Sequence, residues 1–201
     1  MPRLVLGSSS PYRRALLERL GLPFDVCTPA IDETARIDES PGQTAERLAA
    51  EKARAVAQRE RVGVIIGSDQ VAASGDLRLG KPGDAERAVA QLLDVRGQTV
   101  TFHTALHVLD ASSGRTLGSH CDVTRVLVRA DLDRAMLERY VALDHPLDCA
   151  GSARIESLGI ALLERCESED PTALIGLPMI ALSRILRVSG FDPLCGASVA
   201  A

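Results

Sequence analysis

The chain has no Cys-x-x-Cys pair, no long apolar run, no basic block, and no repeated or low-complexity segment. Each absence removes a class of function. The five cysteines (Cys27, Cys121, Cys149, Cys166 and Cys195) are odd in number, widely spread and unmatched by a histidine cluster, so neither a disulfide framework nor a cysteine metal site is expected. They read as reduced thiols of the cytosol. No stretch reaches the length of a membrane span, and Arg3-Leu4-Val5-Leu6-Gly7 turns polar too soon for a signal peptide. A soluble cytoplasmic protein with no membrane partner is the expectation. Lys plus Arg number 23 against 27 Asp plus Glu, a net charge of −4, so nucleic acid is not an expected partner either. A small polyanion remains open, because a few cations converging in one cleft matter more to it than net charge.

What is present is a chain of 201 residues with 46% apolar content, enough for one globular domain, 1–201, with a sizeable core. The patterning predicts strands alternating with helices. Leu4 to Leu6 is a short strand, and Ser10-Pro11 starts a helix with inner residues Leu16, Leu17 and Leu20, ended by Gly21. A strand at Phe24 to Cys27 precedes the polar loop Asp32-Glu33-Thr34. The capping box Ser40-Pro41-Gly42-Gln43 then opens a helix to about Gln58. Val62 to Ile66 is a buried strand expected to stop at Gly67-Ser68-Asp69-Gln70, and Gly75-Asp76 turns a hairpin between Val71–Ser74 and Leu77–Leu79. A helix follows from Asp84 to Leu93. Two long strands come next, from Val100 and from Leu117, joined through Ser112-Ser113-Gly114. Asp131 is predicted to cap a helix through Leu143, a strand lies near Ile160 to Leu163, and Gly176-Leu177-Pro178 opens a last helix to about Val188.

Several charges sit where a bland fold would not put them. Arg13 and Arg14 occupy the first turn of a helix, where the unpaired N–H groups already carry partial positive charge, so the arrangement asks for an anion. Arg13 also shares the stripe of Leu16 and Leu17 and points along the inner side. Lys52 falls on the apolar stripe Ala45, Leu48, Ala49, Val56 and must reach a counter-charge, whereas Glu46, Glu51 and Arg54 lie off it and read as solvated. Asp69 is expected at the carboxyl end of a strand, where open α/β sheets bind ligands. Lys81 is held between Gly80 and Pro82. His103 and His107 share a strand face with no nearby carboxylate and read as solvent-side residues without a metal role.

The set Ser8-x-Ser10-Pro11-x-Arg13-Arg14, Asp32-Glu33, Glu51-Lys52-Ala53, Gly67-Ser68-Asp69 and Gly80-Lys81-Pro82 resembles the Maf family of nucleoside triphosphate pyrophosphatases in order and spacing, with Ala150-Gly151 and Gly176-Leu177-Pro178 extending the likeness along nearly the whole chain. The resemblance implies a mixed α/β fold, an elongated central sheet flanked by helices with two lobes around a cleft, and a homodimer. It also implies a divalent metal ion (magnesium, manganese or cobalt) and hydrolysis between the α and β phosphates of a nucleoside triphosphate substrate. Arg13, Arg14, Lys52 and Lys81, with Ser8 and Ser10, would bind phosphate. Asp69 would be the general base or a metal-linked carboxylate, and Glu33 its companion at the metal.

Three positions narrow the substrate. The branch of the family that takes thymidine and uridine triphosphates has Arg, Thr and Gln where this chain has Tyr12, Gln70 and Glu156. The combination here is similar to the YceF-type branch, associated with N7-methylguanosine triphosphate. Methylation at N7 makes the purine cationic, so an aromatic face at Tyr12 can stack on it, and the carboxylate of Glu156 can accept N1–H and the exocyclic amine. Two rival readings are a pyrophosphatase for other canonical or modified nucleotides and a nucleotide-binding regulator without turnover. A phosphate-loop NTPase is disfavoured, since Gly7-Ser8-Ser9-Ser10 lacks the Gly-Lys-Ser/Thr grip.

Overall fold

A computed structural model describes residues 3–195 and shows a mixed α/β fold. Strands β1 (Leu4–Gly7), β2 (Asp25–Val26), β3 (Val64–Ser74), β4 (Leu77–Leu79), β5 (Thr99–Asp110), β6 (Thr116–Val128) and β7 (Leu163–Glu167) alternate with helices α1 (Pro11–Glu18), α2 (Pro41–Glu60), α3 (Ala85–Asp94), α4 (Arg134–Asp144) and α5 (Met179–Val188). The sheet order is β2-β1-β3-β5-β6-β7, with β4 on β3. The chain divides into two compact units, and the division falls inside β3, β5 and β6. Among the described residues, unit 1 takes those up to Asp69, Thr104–Asp122 and those from Asp170 onward; unit 2 takes Gln70–His103 and Val123–Glu169.

Unit 1 is a sheet covered on both faces. β1 lies parallel to β2 and to β3, with Leu4 opposite Val64 and Leu6 opposite Ile66. Alternation along β1 sends Leu4 and Leu6 to one face, where Leu16 and Leu17 of α1 and Leu182 and Leu186 of α5 pack, and Val5 to the other, against Ala53 and Val56 of α2. Full burial of Leu16 and Leu17 favours the fold by about 2 kcal/mol each. The helices start where the sequence indicates: Ser10 caps α1, and Ser40 with Gln43 forms a complete capping box on α2. α1 ends earlier than expected, at Glu18.

Two expectations for this unit are corrected. β3 does not stop at Gly67 but runs on to Ser74, so Asp69 lies inside a strand rather than at its end. Gly67 marks a close approach, not a turn: a Cβ there would stand 2.2 Å from the Ala49 carbonyl and 2.8 Å from the Ala53 nitrogen of α2. His107 is buried, not solvent-facing, because β5 has both faces covered from Thr104 to Leu109; its ring pairs with Thr116 Oγ1 at 3.3 Å, and burial lowers its pKa.

In unit 2, β4 turns back antiparallel on β3 through Gly75-Asp76, α3 packs on α4, and β7 pairs antiparallel with β6. The cap of α4 is Asp133, whose side chain accepts from Met136 N at 2.8 Å, and not Asp131, which is taken by Arg129. The stretch near Ile160 is a 3-10 turn over Leu158–Leu162, and the strand begins only at Leu163, opposite Val128, with an irregularity in the pairing before the regular register from Arg165 to Glu167.

Candidate active site

The N-terminus of α1 gathers hydroxyls, backbone N–H groups and a guanidinium. Its first turn contains no acidic residue, and Ser10 Oγ accepts from Arg13 N. Ser8, 3% exposed at the end of the β1 segment, accepts from Ser10 N at 3.1 Å and folds the preceding loop onto the cap. Arg13 is oriented from both sides: Nε donates to the Gly176 carbonyl at 2.8 Å, and Nη1 reaches Ser8 Oγ at 3.5 Å. Burial pulls the Arg13 pKa down, opposed by the charges of Asp69 and Glu33. Arg14, in the same turn, is exposed and paired instead with Glu18 at 2.9 Å.

Asp69 and Lys52 meet where β3 crosses α2. Lys52 Nζ lies 2.6 Å from Asp69 Oδ1 and 2.9 Å from Glu33 Oε1. The lysine and aspartate side chains are 6% and 9% exposed, whereas that of Glu33 is 57% exposed, so one ammonium ties an inner carboxylate to an outer one. The close seat of Gly67 against Ala49 and Ala53 brings the strand near enough to α2 for this contact.

The loop carrying Glu33 is fastened by residues the sequence reading passed over. Arg47, on α2 and only 13% exposed, donates to both oxygens of Glu39, to Glu51 Oε2 at 3.1 Å and to the Thr34 carbonyl at 3.1 Å. Arg36 closes the set on Glu51 at 3.2 Å, so Glu51 is not simply solvated. Asp32 caps the next turn by accepting from Thr34 N and Oγ1, which lowers its pKa. Two more residues were missed at the Arg13 end: Ser68 donates to the same Gly176 carbonyl at 3.1 Å, and Gly176 holds φ 126°. The Gly-Leu-Pro run was the available signal, since only glycine takes that conformation without strain.

Tyr12 is half-buried on α1, and Gln70 follows Asp69 on β3 at the start of unit 2. Lys81 is exposed on the loop between β4 and α3, and no salt bridge to it occurs among the described residues. That loop is laced to a second one by Gly151 N to Gly80 O at 3.3 Å and Gly83 N to Leu147 O at 3.0 Å. Glu156 is in a turn of this second loop, its side chain 25% exposed and 3.6 Å from Arg154 Nε.

Chemically, unit 1 offers a fixed carboxylate, a sealed ammonium, an oriented guanidinium and a helix N-terminus, a set suited to a phosphate chain. Among the described residues no group of three or more His, Cys, Asp or Glu side chains is arranged to hold a metal ion. Two carboxylates, Glu33 and Asp69, share one ammonium; that donor set suits a hard cation that takes its other ligands from phosphate and water rather than a resident metal in an all-protein cage.

A family model described as Maf-like protein matches residues 3–189. Proteins called 7-methyl-GTP pyrophosphatase from Burkholderia pseudomallei (strain 1710b) and Paraburkholderia xenovorans are 55% and 56% identical to this chain over 199 residues, 98% of it and 91% and 96% of their own lengths. A protein of that name from Ralstonia nicotianae is 55% identical over 92% of this chain and 95% of its own. A solved nucleoside-triphosphatase / dITP/XTP pyrophosphatase from Mycobacterium abscessus aligns with 64% of this chain and 74% of its own at 16% identity and a TM-score of 0.43, too loose a likeness to carry weight.

Proposed function

The chain belongs to the Maf-like protein family, and on that footing we propose that it is a nucleoside triphosphate pyrophosphatase converting 7-methyl-GTP and water to 7-methyl-GMP and pyrophosphate. The observation that carries the chemistry is the sealed Lys52 ammonium between Asp69 and Glu33, with the charge of Arg13 directed at the same carboxylates. Relatives 52% to 56% identical over most of their length support the substrate.

In the reaction the oxygen of water bonds to the α-phosphorus, the bond from that phosphorus to the bridging oxygen breaks, and pyrophosphate leaves. Asp69 takes the proton of the attacking water; Lys52 holds the carboxylate in place. Arg13, Lys52 and Lys81, with Ser8, Ser10 and the α1 N-terminus, balance the charge of the triphosphate, most strongly as it builds on the leaving group. Arg14 joins them by exchanging Glu18 for phosphate, a cheap exchange because an exposed i,i+4 pair is worth only about 0.5 kcal/mol. Magnesium, manganese or cobalt would be held by Glu33 and Asp69 and would supply neutralisation of phosphate charge and polarisation of the reacting oxygens. Tyr12 stacks on the cationic methylated base, Glu156 accepts from its N1–H and amine, and Gln70 assists selection. Gln70, Lys81 and Glu156 enter on their motif positions alone.

The homodimer is carried over from the family resemblance. The cytoplasm is supported by cysteines that are all free among the described residues, and no described helix is long and apolar enough to cross a membrane. The test is a pyrophosphate-release panel of 7-methyl-GTP, GTP, UTP, dTTP and CTP with each of the three metals. Preference for 7-methyl-GTP, and a loss of at least about a hundredfold in Asp69→Asn, are expected. Binding without pyrophosphate release would favour the regulator, and a preference for another nucleotide would overturn the substrate.

A further inference from the structure

Unit 2 buries polar side chains that the proposed chemistry does not use. Tyr140 and Asp144 are 4% and 6% exposed, one turn apart on α4, and Ser152 is fully buried. A unit held together only by packing would place apolar residues there, because buried polar groups stabilise little beyond what isosteric apolar ones do. Tyr140 and Asp144 are directed at one segment, the irregular stretch 149–159, to which Ser152 belongs.

The hydrogen bonds bracket a single position. Tyr140 Oη donates to the Ser152 carbonyl at 3.3 Å and accepts from Arg154 N at 2.9 Å. Asp144 accepts from Ser157 Oγ through one oxygen and from Gly159 N at 3.3 Å through the other. The Arg154 carbonyl accepts from Ser157 N at 3.1 Å and Gly159 N at 3.0 Å and closes the turn. Gln91 of α3 accepts from Ser152 Oγ at 2.7 Å, which pins a serine held at φ 56°. Glu156 therefore sits between Arg154, fixed by Tyr140, and Ser157, fixed by Asp144. Burial raises the Tyr140 pKa, so its hydroxyl stays neutral and keeps both bonds.

We infer that Tyr140 and Asp144 are positioning residues that set the Glu156 turn and thereby the choice of base. Neither touches substrate; each acts through the carboxylate it places. The inference deepens the proposed function and rests on its assignment of Glu156.

The experiment measures kcat and KM for 7-methyl-GTP and UTP in the full chain and in Tyr140→Phe, Asp144→Asn, Glu156→Gln and the double variants that add Glu156→Gln. Tyr140→Phe keeps the packing and removes both bonds of the hydroxyl; Asp144→Asn keeps one acceptor and turns an amide toward Gly159 N. Each single variant should lower the 7-methyl-GTP over UTP ratio of kcat/KM roughly tenfold, about what losing one or two loop bonds allows, mainly through KM. In the Glu156→Gln background neither should lower it further, which a merely structural role would not produce. If Glu156→Gln leaves the ratio unchanged, the assignment of Glu156 fails and this inference with it. If Glu156→Gln lowers the ratio while the helix variants leave it intact, or lower it equally in both backgrounds, the inference alone is overturned. Should Tyr140→Phe fail to fold, Asp144→Asn decides.

Discussion

Lys52 in unit 1 is 6% exposed and lies between two carboxylates, whereas Lys81 in unit 2 stands exposed on a loop tied down through the backbone of Gly80 and Gly83. The same contrast runs through the rest of each unit. In unit 1 the charged groups hold one another: Lys52 with Asp69 and Glu33, Arg47 with Glu39 and Glu51. In unit 2 the buried Tyr140, Ser152 and Asp144, with the half-buried Gln91, hold loops whose charges, Lys81 and Glu156, are exposed. Groups that must be in place before the substrate arrives are set by ion pairs in a nearly dry crossing of helix and strand. Under the proposed function, the Glu156 carboxylate that would help choose the base is set by the shape of a loop.

Replacing each lysine by methionine should separate the two modes most sharply. Lys52→Met leaves Asp69 buried without its ammonium, which should cost about 3 kcal/mol of stability, as breaking a buried pair does. Lys81→Met should change stability by no more than about 0.5 kcal/mol. Both should lose roughly a hundredfold in kcat/KM if both meet phosphate in the transition state. Urea unfolding beside pyrophosphate release reads the two effects apart. Equal stability losses would erase the contrast.

A smaller effect is expected from a methyl group added in each unit. Gly67→Ala drives a Cβ into the Ala49 carbonyl of α2 and should destabilise by about 1–3 kcal/mol while displacing Asp69 from Lys52. Gly80→Ala, beside Lys81, meets nothing within 4 Å and should be neutral or slightly stabilising. Thermal unfolding of the pair checks this; a neutral Gly67→Ala would mean that β3 and α2 are free to separate.

Gly67 also shows where the sequence stops being legible. The cap of α1, the capping box of α2, the Gly75-Asp76 hairpin and the inward face of Lys52 are written in residues within a few positions of one another, and they were readable as local chemistry. That Gly67 serves contact with α2, and that β3 continues past it to Asp69, depends on a helix more than ten residues earlier, so the glycine reads as a stop. Asp131 and Asp133 are equally good caps on paper, and only the partner Arg129 decides between them. Arg47 escaped notice for the same reason: its worth comes from Thr34, Glu39 and Glu51 at once. The fold class and the need of Lys52 for a counter-charge were visible; the partners that meet it and the fasteners that aim them were not.

The finest contrast concerns pH. Glu39 is held at about 2 against an ordinary value of 4.5, chiefly by its bonds to Arg47, with Arg36 N and Thr44 adding to the effect. A carboxyl depressed in the folded state and normal in the unfolded one stabilises the fold fully above pH 4.5 and loses that contribution as pH falls from there toward 2. Arg47 stays charged throughout, so the loss belongs to Glu39 alone. Glu39→Gln should therefore lower the Tm at pH 7 modestly and flatten its fall between pH 5 and 2, since glutamine keeps an acceptor but has no proton to gain. Because Arg47 also holds the Thr34 carbonyl beside Glu33, the variant should loosen the outer carboxylate and raise KM for the nucleotide more than it lowers kcat. No comparable acid slope is expected from Tyr140→Phe in unit 2, whose hydroxyl has no proton to gain over that range. If Glu39→Gln and the native chain lose Tm in parallel below pH 5, Arg47 is not gripping Glu39 in solution, and the ion-pair account of how unit 1 fixes its loop gives way to packing.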